Sequence, residues 1–325
     1  MTKILILRFS SIGDIVLTSP VIRCLKQQVT GCEVHFFTKK NFETVVSNNT
    51  YIDKLFLLEN NLSEIVKQLK NENYDYIIDL HHNIRTWRIK RALGKKSFSF
   101  NKLNFEKWLI TNFKINKLPT IHIVDRYFET VKELGVNNDL KGLDFFIDSK
   151  NNVETNKLPA NFQKGYVAFA IGGQHATKRL PEEKIISICR KINNPILLLG
   201  GKEDALTAEK ISSYCGRDKI YNACGKFNLQ QSASLIKQAQ KVITHDTGLM
   251  HIAAAFKKDI ISIWGNTIPE FGMYPYSAGE KSKIIEVKDL TCRPCSKIGY
   301  NKCPKKHFYC MNLIDENDII DALNS

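Results

Sequence analysis

Residues 242–256, VITHDTGLMHIAAAF, hold the clue to the fold. A β-branched run stops abruptly at His245-Asp246-Thr247-Gly248, and an Ala-rich apolar stretch of helical character begins at once. Strand, tight turn and helix in that order form the repeating unit of an α/β protein. The open N–H groups of a first helical turn favour an anion such as phosphate, so the carboxylate of Asp246 at that junction needs an explanation. Either it caps the helix or it belongs to a site.

The same alternation extends outward in both directions. KILILRF, EVHFF, KLFLL and YDYIIDL come before the middle of the chain, and GYVAFAI, PILLLGG, KVITH and DIISIWG after it, with longer helix-like segments between them. Such a pattern predicts parallel sheets covered by helices on both faces, and it occurs twice. A chain of 325 residues suits two domains. The polar, Asn-rich stretch from Asp148 to Gly165 is the best linker, which places the boundary near residue 160 and gives domains 1–160 and 161–325. The closing IDENDIIDALNS reads as a short amphipathic helix, a candidate to pack back onto the first domain.

Composition narrows the class. With 43% hydrophobic and 25% charged residues, the chain is globular rather than disordered. Its formal charge of +14 attracts polyanions, whether nucleic acid, an anionic membrane surface or a phosphorylated substrate. MTKILILRFSS is interrupted by Arg8 too early to be a secretion signal or a membrane span, and no later apolar run reaches spanning length. Membrane contact is therefore expected to be peripheral. Nine scattered cysteines without a secretory context predict reduced thiols and a cytoplasmic protein.

In open parallel sheets, ligands sit beyond the carboxyl ends of strands, so the loops after the apolar runs matter most. In RFSSIGDIVLTSP, the turn Ser10, Ser11, Gly13 sets Asp14 beside a strand end, as a general base or as a capping residue. In AIGGQHATKRLPEEKI, Gly172-Gly173, Thr177, Lys178 and Arg179 precede a helix opened by Pro181, a combination suited to a diphosphate and also to an ordinary turn. After LLLGG, Glu203 or Asp204 could accept bonds from ribose hydroxyls or merely complement a helix dipole. At the opening stretch, Asp246 is read as a helix cap that also accepts from a sugar hydroxyl. Thr247 and Gly248 then offer amides to phosphate, and His251 lies on the same helix face. Neither the P-loop spacing nor G-x-G-x-x-G is present, which argues against an NTPase or a typical dehydrogenase.

KILILRFSSIGDIVLTSPVIRCLK, TKRLPEEKI and HDTGLMHIAAAF…IISIWGNTIPE, in that order, resemble glycosyltransferase family 9, the lipopolysaccharide heptosyltransferases. The resemblance implies an α/β protein of GT-B architecture: two Rossmann-like domains with parallel sheets facing across a cleft, the first binding acceptor and the second binding nucleotide-sugar. It further implies inverting transfer of heptose from ADP-L-glycero-D-manno-heptose to the inner core of lipopolysaccharide at the cytoplasmic face of the inner membrane. Asp14 matches the general base and Lys178 the residue on the donor phosphates. Glu203 matches the nucleoside-binding acid, and Asp246, Thr247, Gly248 and His251 match the donor turn, with Thr177 a weaker match. No Asp-x-Asp triplet occurs, so no cofactor is expected for catalysis.

Between Arg85 and Lys117, ten Lys or Arg and one acid, Glu106, interleave with Trp87, Phe98, Phe100, Phe105, Trp108 and Phe113. Alone, this could be a nucleic-acid surface or core aromatics beneath a solvated face. Given the resemblance, it fits an acceptor site for anionic sugars near an anionic leaflet, with Ser10, Ser11, Gly13, Arg85 and Arg88 as acceptor residues and no nucleic-acid partner expected. Cys292, Cys295, Cys303 and Cys310 follow C-x2-C-x7-C-x6-C, a spacing that permits structural zinc as well as free thiols. Three alternatives stand beside the heptosyltransferase: a family 9 glycosyltransferase using another nucleotide-sugar, a sugar-nucleotide 2-epimerase of the same architecture, and a basic nucleic-acid-binding protein.

Overall fold

The computed structural model describes residues 2–325. Two compact units emerge: residues 2–102 with 121–146, and residues 103–120 with 147–325. Each is built around its own parallel sheet.

In the first unit the strands are β1 (Thr2–Leu7), β2 (Cys32–Lys39), β3 (Lys54–Leu58), β4 (Tyr76–Asp79) and β5 (Lys96–Ser99). Their order is β3-β2-β1-β4-β5, every pair parallel. Central β1 is fully buried from Ile4 to Leu7, as expected for a strand covered on both faces. Leu5, Leu7, Phe9, Phe37, Ile77 and Ile89 share one core cluster. The helix Ser19–Gln28 covers β2 and is pinned by buried Arg23, which pairs with Asp139 at 2.8 Å and with Asp144.

The second unit carries β6 (Val167–Ala170), β7 (Ile196–Leu199), β8 (Ile220–Asn222), β9 (Lys241–His245), β10 (Ile260–Trp264) and β11 (Lys283–Glu286). The order β8-β7-β6-β9-β10-β11 is the doubly wound Rossmann arrangement. Chain direction across each sheet reverses next to its first strand, at β1/β4 and at β6/β9. Those are the switch points where an α/β sheet opens a crevice for ligands.

All eight expected apolar runs are strands. β5, β8 and β11, which were not expected, are short outer strands reading KSFS, IYN and KIIE. Two expectations about organisation are corrected. The division falls between Phe146 and Ile147 rather than near 160, because residues after 147 bond into the second unit: Asp148 N–H donates to Gln230 at 2.8 Å and Val153 N–H to Ser234 at 2.9 Å. The closing helix, Glu316–Asn324, belongs to the second unit. It packs on the helix Glu182–Lys191 and on β10 and β11, burying Ile319 and Ala322 in the second core, with Glu316 2.9 Å from Lys191.

Candidate functional site

At the carboxyl end of β1, Ser11 starts a five-residue helix, Ile12–Val16, with Asp14 in its first turn. One Asp14 oxygen accepts from the Ser11 N–H at 3.1 Å and hydroxyl at 2.8 Å; the other lies 2.6 Å from Arg8 Nη2. Arg8 is buried and each of its three guanidinium nitrogens has a partner. Nε donates to the Ser10 carbonyl at 2.8 Å, and Nη1 donates to the Leu80 carbonyl and to the Tyr127 hydroxyl at 3.0 Å. A rigid guanidinium thus ties the end of β1 to the segment after β4 and fixes the Asp14 carboxylate.

His81 follows β4 at the same switch point, its N–H donating to Asp79 at 3.1 Å. Burial, reinforced by the Arg8 and Lys102 cations, pushes the His81 imidazole down to about 4, so it is neutral at physiological pH. Arg8, Asp79 and His81, none of which the sequence reading singled out, gather near Asp14 at the β1/β4 switch point. Of the expected acceptor residues, Arg85 lies with its guanidinium 5.4 Å from the centre of the Phe9 ring, while Arg88 is exposed on the same helix, Ile84–Leu93. Gly13 is buried, and Ser10 and Ser11 serve Arg8 and Asp14 as described.

The basic, aromatic stretch is divided between the two units. Its part before residue 103 belongs to the first unit, where Phe100 is buried against Tyr127, and its remainder to the second. There the helix Asn104–Phe113 exposes Phe105, Trp108 and Phe113, rings in mutual contact at centroid distances of 6.1 and 5.1 Å.

In the second unit, the loops after β6 and β9 converge at the switch point. A Cβ on Gly173 would stand 3.3 Å from Thr247 Cγ2, and one on Gly172 only 2.4 Å from Asp204 Oδ2, so both positions exploit the missing side chain. Lys178 Nζ lies 2.5 Å from Asp246 Oδ2, and the Thr267 hydroxyl donates to that oxygen at 3.0 Å. The opening question is settled here, as a correction. Asp246 does not cap the helix; the N-cap of Gly248–Ala255 is Thr247, whose extended backbone carries no side-chain cap bond. Asp246 is instead the anchor of a lysine, and the turn of Thr247 and Gly248 keeps the anion-favouring end of the helix.

The remaining donor residues fall into two groups. Glu203 is exposed, its carboxylate folded over Gly201, and can accept from hydroxyls. Neighbouring Asp204 is committed: it holds Arg179 at 3.1 Å and accepts from the Gly201 N–H at 2.9 Å. Thr177, expected as a donor contact, braces Tyr300. It is buried, its hydroxyl accepts from Tyr300 N–H at 2.8 Å, and its own N–H donates to the Tyr300 carbonyl at 3.1 Å. His251 is packed inside the unit rather than presented to solvent. His245, at the end of β9, accepts from Leu180 N–H at 3.1 Å; burial, with Arg179 nearby, pushes it down to about 4 and keeps it a neutral acceptor.

Two Rossmann-type units, each with its own parallel sheet, place the chain in the α/β class of GT-B architecture. The model of glycosyltransferase family 9 (heptosyltransferase) matches residues 62–305. Lipopolysaccharide heptosyltransferase 1 of Campylobacter coli is 25% identical, over 98% of this chain and 97% of its own. A family 9 glycosyltransferase structure from Veillonella parvula DSM 2008 superposes with a TM-score of 0.79 at 21% identity, covering 99% of this chain and 96% of the other. Escherichia coli ADP-heptose lipopolysaccharide heptosyltransferase II gives 0.75 at 17% identity, covering 99% and 98%. The chain belongs to glycosyltransferase family 9, and it is an enzyme of glycosyl transfer.

Proposed function

We propose that the protein transfers a heptose, with inversion, from ADP-L-glycero-D-manno-heptose to the inner core of lipopolysaccharide. The observation that carries the reading is the convergence of Gly173, Lys178, Asp246 and Thr247 at the β6/β9 switch point, a cradle suited to the diphosphate of a sugar nucleotide. Full-length similarity to named heptosyltransferases supports heptose as the sugar, and the family match favours transfer over the epimerase and nucleic-acid readings.

In this mechanism Asp14 accepts the proton of the acceptor hydroxyl as its oxygen attacks the anomeric carbon, through an oxocarbenium-like state. The C–O bond to the diphosphate breaks and ADP departs with the bonding pair. Lys178 and the amides of the Thr247 turn face that growing charge, where preorganised dipoles lower a barrier most. Asp246, with one oxygen occupied by Lys178 and Thr267, has the other for a sugar hydroxyl. Glu203 accepts from the ribose, and Arg85 and Arg88 attract the anionic acceptor. No metal is required by these steps.

The exposed rings of Phe105, Trp108 and Phe113, in a chain of formal charge +14, suit the interface of an anionic leaflet, which supports a proposed working position at the cytoplasmic face of the inner membrane. No helix among the described residues is long and apolar enough to cross a membrane. The test is a panel of nucleotide-sugars in thermal shift, followed by transfer of labelled sugar to a heptose-deficient lipid acceptor. Stabilisation by ADP-heptose above all other donors, with label moving only when acceptor is present, is expected. Equal stabilisation by every donor, or release of free sugar alone, overturns the reading.

A further inference from the structure

From β11 to the short helix Tyr309–Asn312, residues 287–308 contain neither helix nor strand, an unusually long irregular run inside a compact unit. Something other than ladder bonds must hold it. No disulfide does so, since every cysteine is a free thiol. Yet Cys292, Cys295, Cys303 and Cys310 all line one cavity, with about 10 Å³ of free room, enough for a single atom-sized occupant. Asn266 lines it too. It is 1% exposed, and neither its side-chain nitrogen nor its oxygen has a partner. A buried amide left in that condition costs stability unless something in the cavity completes it.

We propose that Cys292, Cys295, Cys303 and Cys310 bind one thiophilic transition-metal ion, zinc or iron, which fixes residues 287–308 and, through Tyr300, the loop that carries Lys178. Four sulfurs suit a tetrahedral site for either ion. On binding, each thiol gives up its proton to solvent and its sulfur donates a pair to the metal, with no change of oxidation state. Four thiolates around a divalent ion carry two net negative charges. Lys305 lines the cavity and Lys114 Nζ reaches the Pro294 carbonyl at 2.6 Å, so two cations stand near it, while Arg293 is already paired with Glu286 at 2.6 Å. The Asn266 amide supplies the N–H donor that a metal-bound thiolate accepts.

The sulfurs do not yet form a closed shell. The trio of potential ligand atoms found mutually within 4.8 Å among the described residues is Glu33, His35 and Glu72, which Lys3 and Lys54 already neutralise. Loading therefore contracts the segment. Tyr300 is bonded on both sides to Thr177, the residue before Lys178, so contraction reaches the candidate donor loop.

The first readout needs no donor and so stands apart from the transferase reading. Protein purified without chelator under reducing conditions is expected to hold about one zinc or iron per chain, elemental analysis distinguishing the two. Stripped protein titrated with Co(II) should develop the absorption of a tetrahedral cobalt–thiolate centre, saturating at about one equivalent. Cys295→Ser and Cys303→Ser should lose it, Cys215→Ser, outside the cavity, should retain it, and Asn266→Ala should weaken Co(II) binding by about 10-fold or more. Native protein with under about a tenth of an equivalent of metal, together with no cobalt–thiolate band, overturns the site. A metal that can be removed without any change in ADP affinity overturns the link to Lys178.

Discussion

In the ligand-free protein, Lys178 is already engaged, and that sets the size of what it can contribute. Its ammonium lies 2.5 Å from Asp246, with only 17% and 10% of the two side chains exposed. A charge-assisted bond to phosphate is worth about 1.5–3 kcal/mol. Because Lys178 exchanges or shares a carboxylate rather than leaving water, the lower end applies: Lys178→Met should weaken ADP about 10-fold. Turnover should fall further, by about 100-fold, since the leaving diphosphate gains charge that the ground state lacks. Asp246→Asn keeps an acceptor for Thr267 but releases the lysine, so ADP should bind as well as before or better, while affinity for the whole nucleotide-sugar declines. Opposite signs from two halves of one ion pair are the signature. Calorimetry with ADP and with the sugar nucleotide, beside steady-state rates, reads both. Folded Lys178→Met that binds ADP within about threefold of the parent and turns over normally would refute the assignment.

Asp14→Ala should reduce kcat by roughly 100-fold or more with donor affinity intact, seen in single-turnover rates; an unchanged rate removes it from the role of base. Arg8→Lys keeps the charge but loses the four-way fork, so kcat should fall with little change in donor KM, because Asp14 is no longer held in place. His245 has its proton affinity lowered in the folded state, from near 6.5 to about 4. The unfolded chain therefore binds more protons between those values, and stability falls as pH drops through that window. His245→Gln should flatten that part of the curve in denaturant titrations at pH 4 to 7, and an unaltered slope would contradict it. Finally, Phe105→Ser with Trp108→Ser should reduce cosedimentation with anionic vesicles at low salt while leaving the thermal midpoint nearly unchanged, since both rings are exposed.

Much of this molecule is readable from local chemistry. Runs such as ILIL and ILLL, short and rich in Ile and Leu, read as strands buried on both faces, and their recurrence fixed the class and the two sheets. The loops after β1, β6 and β9 were equally legible, because glycine pairs, a lysine and a helix start are neighbours in the chain. Outer strands were not: KSFS and KIIE bury little, so their pattern resembles loop until a neighbouring strand pairs with them. Asp246 shows the same limit within a site. Position beside a helix start suggested a cap, but Lys178 and Thr267, 68 and 21 residues away, offered stronger bonds.

Sequence alone therefore determined which apolar runs are buried strands, which loops bear charge and which chemistry they suit, since periodicity and residue type act over a few positions. Only the tertiary structure decided which partners those groups take. Arg8 holds Asp14, Tyr300 occupies Thr177, and the unpartnered Asn266 meets four cysteines in one cavity. Each of those outcomes depends on chain segments far apart in sequence competing for the same hydrogen bond or the same buried space, and packing settles that competition.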